Sequence, residues 1–142
     1  MKSRNVLIPL LLLLFPLVLM PAQDRSGPRA LEQAIALYQQ SQFEEALLNF
    51  RDITVDPALR NVQGTAYFWV AKTALALNRF EDAERNIDLF LNQYPQNPNV
   101  PEAIYLRGRL LYLQQQFEDA VIAFSSFVEA YPGSSFVANS YY

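Results

Sequence analysis

The sequence predicts an all-α fold, a solenoid of antiparallel helix hairpins with three repeats of 37 residues and the start of a fourth. Two observations carry that prediction. Phe43-Glu44-Glu45-Ala46, Phe80-Glu81-Asp82-Ala83 and Phe117-Glu118-Asp119-Ala120 align without gaps at a spacing of 37 residues, the mark of a repeat architecture. Within each unit, apolar residues recur three and four apart, as in Tyr67, Val70, Ala71 and Ala74, then Phe80, Ala83, Ile87 and Phe90.

The register extends beyond these blocks. Phe50, Ile87 and Phe124 correspond, as do Ile53, Phe90 and Phe127, and Pro95 corresponds to Pro132. Tyr67 and Ile104 match upstream, and Tyr141 falls at the next step.

The elements follow in order. Helices are expected over 28–40 and 43–55 in the first unit, 63–77 and 80–94 in the second, and 101–115 and 117–131 in the third. Turns near Ser41, Asn78 and Gln115 are so short that the paired helices must run antiparallel. Small residues at Ala46, Ala83 and Ala120 let each pair approach closely. Pro101 suits a first helical turn, where its missing N–H is harmless, while Tyr94-Pro95 and Tyr131-Pro132-Gly133 stop the helices before them. Ser134 or Ser135 is placed to cap the next helix.

Ahead of the repeats, Val6 to Met20 is apolar apart from Pro9 and Pro16, with Lys2 and Arg4 before it and Ala22 after it. That layout is the basic, hydrophobic and small-residue order of a secretory signal peptide, cleaved after Ala22. Met20 is larger than a signal peptidase usually prefers, so a retained short anchor is the alternative. Against an anchor, the 15 residues of the run fall short of the ~20 needed to span a bilayer as a helix. The expected organisation is therefore a signal peptide over 1–22, a linker over 23–27 and a repeat domain over 28–142 that continues past Tyr142 in a longer product.

The chain contains no Cys, which excludes a lipid-attachment cysteine, disulfides, thiolate nucleophiles and Cys-ligated zinc. Setting aside Lys2 and Arg4, 9 basic residues face 14 acidic ones, a net of about −5 with no basic cluster. Nucleic acid and anionic membrane surfaces are poor partners for such a chain. Contact with a membrane is expected only through an uncleaved leader.

The chain also lacks His, so the common general base and the common zinc ligands are missing together. The pairs Glu44-Glu45, Glu81-Asp82 and Glu118-Asp119 resemble carboxylate dyads, yet each falls in the first turn of a second helix. There they favour the positive end of the helix dipole, and their repetition points to architecture. Gly108 has neither companion glycines nor a preceding strand, so close helix packing explains it better than a phosphate loop. Neither enzymatic activity nor a cofactor or metal is expected.

A small residue in the first helix (Ala34, Ala71, Gly108), an aromatic and then Ala opening the second, a large apolar residue four later and a closing proline together resemble the tetratricopeptide repeat. The resemblance covers 28–142, with 37 residues per unit instead of roughly 34. The added length most simply falls in the loop between units, as in Pro95 to Val100. The first unit departs from the pattern at Ala30 and Pro57. Within the superfamily, Ile87-Asp88-Leu89-Phe90, Tyr94-Pro95, Asn99-Val100 and Tyr105-Leu106-Arg107-Gly108 are similar to the outer-membrane assembly lipoproteins of the BamD type. Tyr131-Pro132-Gly133-Ser134 and the helix start at Ala138 to Tyr142 are similar to the periplasmic cell-division coordinator. The missing Cys is a departure from the lipoproteins.

The resemblance implies a concave groove lined by the first helices. Its inward positions would carry Leu31, Ile35 and Tyr38, then Phe68, Lys72 and Leu75, then Tyr105, Arg109 and Tyr112. Tyr38, Phe68, Lys72, Tyr105, Arg109 and Tyr112 are the candidate partner-binding residues, aromatics and cations suited to a peptide. The same side chains equally suit contacts between repeats. Leu31 and Ile35 occupy positions where the clamp for a chaperone's terminal carboxylate has polar and basic residues, so that clamp is not expected. The implied function is a scaffold or assembly factor that binds protein segments, exported to the periplasm or envelope of a bacterium. Its expected partners are outer-membrane assembly or cell-division components. The alternative is a self-associating or peptidoglycan-linked structural or division-coordinating protein.

Overall fold

The computed structural model describes residues 26–141, so the expected signal peptide and its cleavage point at Ala22 lie outside the described residues. Six α-helices run in order: α1 (Ser26–Gln39), α2 (Phe43–Val55), α3 (Arg60–Ala76), α4 (Phe80–Gln93), α5 (Val100–Leu113) and α6 (Phe117–Ala130). Short 3-10 turns stand at Pro57–Leu59 and Ala138–Tyr141, and there is no strand among the described residues. No helix there is long and apolar enough to cross a membrane. The architecture is all-α, three helix hairpins stacked side by side.

All three second helices begin at the repeated Phe. The largest departure from expectation is α3, which starts at Arg60 instead of residue 63. Asp56 causes the difference: its carboxylate accepts the Ala58 N–H at 2.8 Å and caps a 3-10 turn with Pro57 in its first turn, which leads directly into the helix. At the far end, Ser134 Oγ accepts the Phe136 N–H at 3.3 Å, and the chain enters a 3-10 turn where an α-helix start was expected.

Each hairpin turns in the same way. Ser41, Asn78 and Gln115, 37 residues apart, have φ of 61°, 56° and 63°, left-handed values that end the first helix. The N–H groups of Gln42, Arg79 and Gln116 reach back to the carbonyls of Leu37, Ala74 and Leu111, while Ser41, Asn78 and Gln115 bond Tyr38, Leu75 and Tyr112. That pair of bonds is the Schellman motif, which satisfies the last carbonyls of a helix.

The core is built from the repeated positions. Ala34, Ala46, Leu47, Phe50, Ile53, Val62, Ala66 and Val70 form one buried cluster. Phe68, Ala71, Ala83, Ile87, Phe90, Leu106, Leu110 and Phe127 belong to a second, and Trp69 packs against both. Burying a large apolar side chain contributes roughly 1.5–3 kcal/mol, so these residues outweigh any surface pair. Thr73, fully buried, satisfies its hydroxyl by donating to the Trp69 carbonyl at 2.7 Å.

Ion pairs tie adjacent hairpins together. Arg51 of α2 pairs with Asp82 of α4, Arg79 with Glu44, and Arg107 of α5 with Asp88 of α4. Two of the repeated acidic residues, Glu44 and Asp82, therefore both sit in a first helical turn and bridge to the neighbouring hairpin.

Candidate functional site

The first helices of the hairpins, α1, α3 and α5, line a cavity of about 310 Å³ closed at one side by the final 3-10 turn. Tyr38 enters it from α1, Lys72 and Leu75 from α3, Glu102, Tyr105, Leu106 and Arg109 from α5, and Phe136 and Asn139 from the segment beyond α6. The helical period explains the lining: Glu102, Leu106 and Arg109 are four and three apart on α5, hence one above the other.

Lys72 is held from several sides. Its ammonium donates to Glu102 Oε1 at 2.6 Å and lies 4.7 Å from the Trp69 ring, 5.7 Å from Phe68 and 5.8 Å from Tyr38. Trp69 in turn meets Tyr38 edge-on at 5.1 Å and stacks on Phe50 at 5.5 Å. A half-buried cation against three rings and a carboxylate is a brace between the three hairpins, each ring contact contributing about 0.5–2 kcal/mol.

Tyr38 stands between opposing charges. Burial raises its pKa above 10.0, the negative Glu102 raises it further, and Arg109 pulls it back. Arg109 itself is exposed and makes no ion pair among the described residues.

Four of the six residues expected from the sequence, Tyr38, Lys72, Tyr105 and Arg109, come together in this cavity. Two do not. Phe68 is 1% exposed and turned into the core against Phe90, because its place on α3 faces α4. Tyr112 is exposed, packs edge-on against Phe117 at 5.5 Å and lines a separate cavity of about 560 Å³ with Val121, Phe124 and Tyr141. Tyr105 is only 8% exposed and rests on Phe124, Phe127 and Phe136, so it forms the floor of the site.

Sequence reasoning missed Ala76, Glu102, Leu106, Phe136 and Asn139. The repeat step itself was the available signal: Lys72 plus 37 is Arg109, and Glu102 plus 37 is Asn139.

No curated protein matches the chain. The tetratricopeptide repeat model matches it twice, over residues 31–98 and 71–135. Those spans contain all of α2 to α6 and most of α1. The chain belongs to the tetratricopeptide repeat family, whose repeats generally mediate protein–protein interactions.

Proposed function

We propose that this protein is an exported scaffold or assembly factor of a bacterial envelope, holding segments of other proteins along the inner face of its first helices. The observation that carries this reading is the lined cavity, in which the partly exposed rings of Tyr38 and Phe136 stand beside Lys72, Glu102, Arg109 and Asn139. Apolar walls with a few polar groups suit a peptide segment whose side chains fill pockets and whose charges set register. Export is inferred from Lys2, Arg4, the apolar run from Val6 to Met20 and Ala22. The envelope role rests on the similarity of residues 87–108 to BamD-type assembly proteins and of 131–142 to the cell-division coordinator.

The test is affinity capture in cells with the full-length product and with an Arg109→Ala, Asn139→Ala variant. Both side chains line the cavity and are exposed, so helicity and melting temperature should change little while partner capture falls. Unchanged capture by a folded variant contradicts the groove assignment. Tyr105→Ala is unsuitable for this purpose, since it removes a floor residue packed on three aromatic rings.

A second reading, self-association, is favoured by one observation. Phe117, Val121, Ile122 and Tyr141 are 50%, 64%, 64% and 72% exposed on the α6 side. Sedimentation velocity across a concentration series distinguishes it: a mass that rises with concentration and is restored to the monomer by Val121→Glu, Ile122→Glu supports this reading, and a constant monomer removes it.

A further inference from the structure

The Lys72–Glu102 brace has a counterpart one repeat later that lacks its acid. Stepping by 37 residues carries Lys72 onto Arg109, Glu102 onto Asn139 and Tyr38 onto Leu75. The structure places all six of these residues around the same cavity. In the first set, cation and carboxylate meet at 2.6 Å. In the second, the residue in register with the carboxylate is Asn139, an amide in the final 3-10 turn, and the Arg109 side chain has neither a hydrogen bond nor an ion pair among the described residues. The cavity thus holds two cations, Lys72 and Arg109, against one anion, Glu102, a local excess of one positive charge in a chain whose formal net charge is −3.

We propose that Arg109 and Asn139 form a receptor for an Asp or Glu side chain carried within a partner's segment, completing the ion pair that the repeat pattern builds between Lys72 and Glu102. The proposal rests on the groove reading above and specifies the chemistry of its occupant. A guanidinium takes a carboxylate through paired N–H donors, and the Asn139 amide adds a further donor. Phe136, partly exposed and lining the same cavity, suits an apolar residue flanking the acid. The Lys72–Glu102 pair is the pattern for this contact, since there a side-chain carboxylate carried within a helix meets the cation.

The probe is an array of random peptides, N-acetylated and attached through the C-terminus so that no terminal carboxylate is free, incubated with the full chain. Wild-type protein should select peptides with Asp or Glu at one fixed position among apolar residues. Changing that acid to its amide should weaken binding roughly five- to tenfold, and the difference should shrink as salt rises. Arg109→Gln should lose the acidic preference, and Arg109→Glu should replace it with Lys or Arg. Selected peptides with no acidic preference, or with one that survives Arg109→Gln, overturn the proposal while leaving the groove reading intact. Selection only from a second array with free C-termini also overturns it, since the acid is then terminal. No selected peptide on either array overturns the groove reading itself.

Discussion

Three residues with left-handed backbone, Ser41, Asn78 and Gln115, show how single positions set the stability of this array. None is Gly, and a side chain there costs about 1–2 kcal/mol, less for Asn, whose short amide tolerates the conformation. Part of that cost returns if Gly loosens the unfolded chain. Gln115→Gly is therefore expected to stabilise by about 0.5 kcal/mol and Asn78→Gly by close to nothing, measured by thermal or urea melts. Gly108 makes the opposite case: a Cβ there would meet the Phe124 ring at 2.6 Å. Gly108→Ala should cost about 1–3 kcal/mol, and Phe124→Ile should recover part of it by reproducing the Ala71 and Ile87 pairing of the preceding repeat. Tyr38 adds a pH dependence. Its hydroxyl ionises less readily folded than unfolded, so the unfolded chain loses that proton first and stability falls as pH rises above 10.0. Tyr38→Phe should flatten that alkaline decline in a urea melt series.

The helices were largely legible in the sequence because the repeat places a hard signal at each boundary. The repeated Phe opens every second helix, and the acidic residues after it suit the helix dipole there. The first helices were harder to delimit. α3 begins earlier than its apolar period implies because Asp56 and Pro57 start a 3-10 turn, a local hydrogen-bond device that periodicity does not register. The groove was legible to the extent that helical spacing decides it, which brought Tyr38, Lys72, Tyr105 and Arg109 together. Phe68 escaped because α3 is apolar nearly all round, so its buried and groove sides cannot be told apart by pattern. Glu102 escaped because its role is defined by a cation 30 residues away. At this scale the Lys72 brace makes a prediction: Glu102→Gln should leave Lys72 without its charge partner and destabilise the array by about 1 kcal/mol. The environment of Trp69, the only tryptophan, should change with it, read by its fluorescence.

In the molecule as a whole, each hairpin touches only its neighbours, so stability should grade from the centre outward. α3 packs against α2, α4, α5 and α1, whereas α6 packs mainly on α5 and the last 3-10 turn. Hydrogen exchange should be slowest in α3 and α4 and fastest in α6, with uniform protection arguing against nearest-neighbour stacking. Repeat register also predicts unequal costs at equivalent sites. Leu47, 1% exposed, lies against the next hairpin, while its counterpart Val121 is 64% exposed. Leu47→Ala should cost about 2–5 kcal/mol, and Val121→Ala should stay within about 0.5 kcal/mol. The central claim, that partner proteins lie along the inner face, is tested most directly by in-cell photocrosslinking from a photoreactive residue at position 139 of the full-length product. The matched control carries the same residue at position 84, exposed on α4. Discrete protein adducts from position 139 that are missing from position 84, and lost with Arg109→Ala, are the predicted result; no adduct from 139, or the same adducts from both positions, would contradict it.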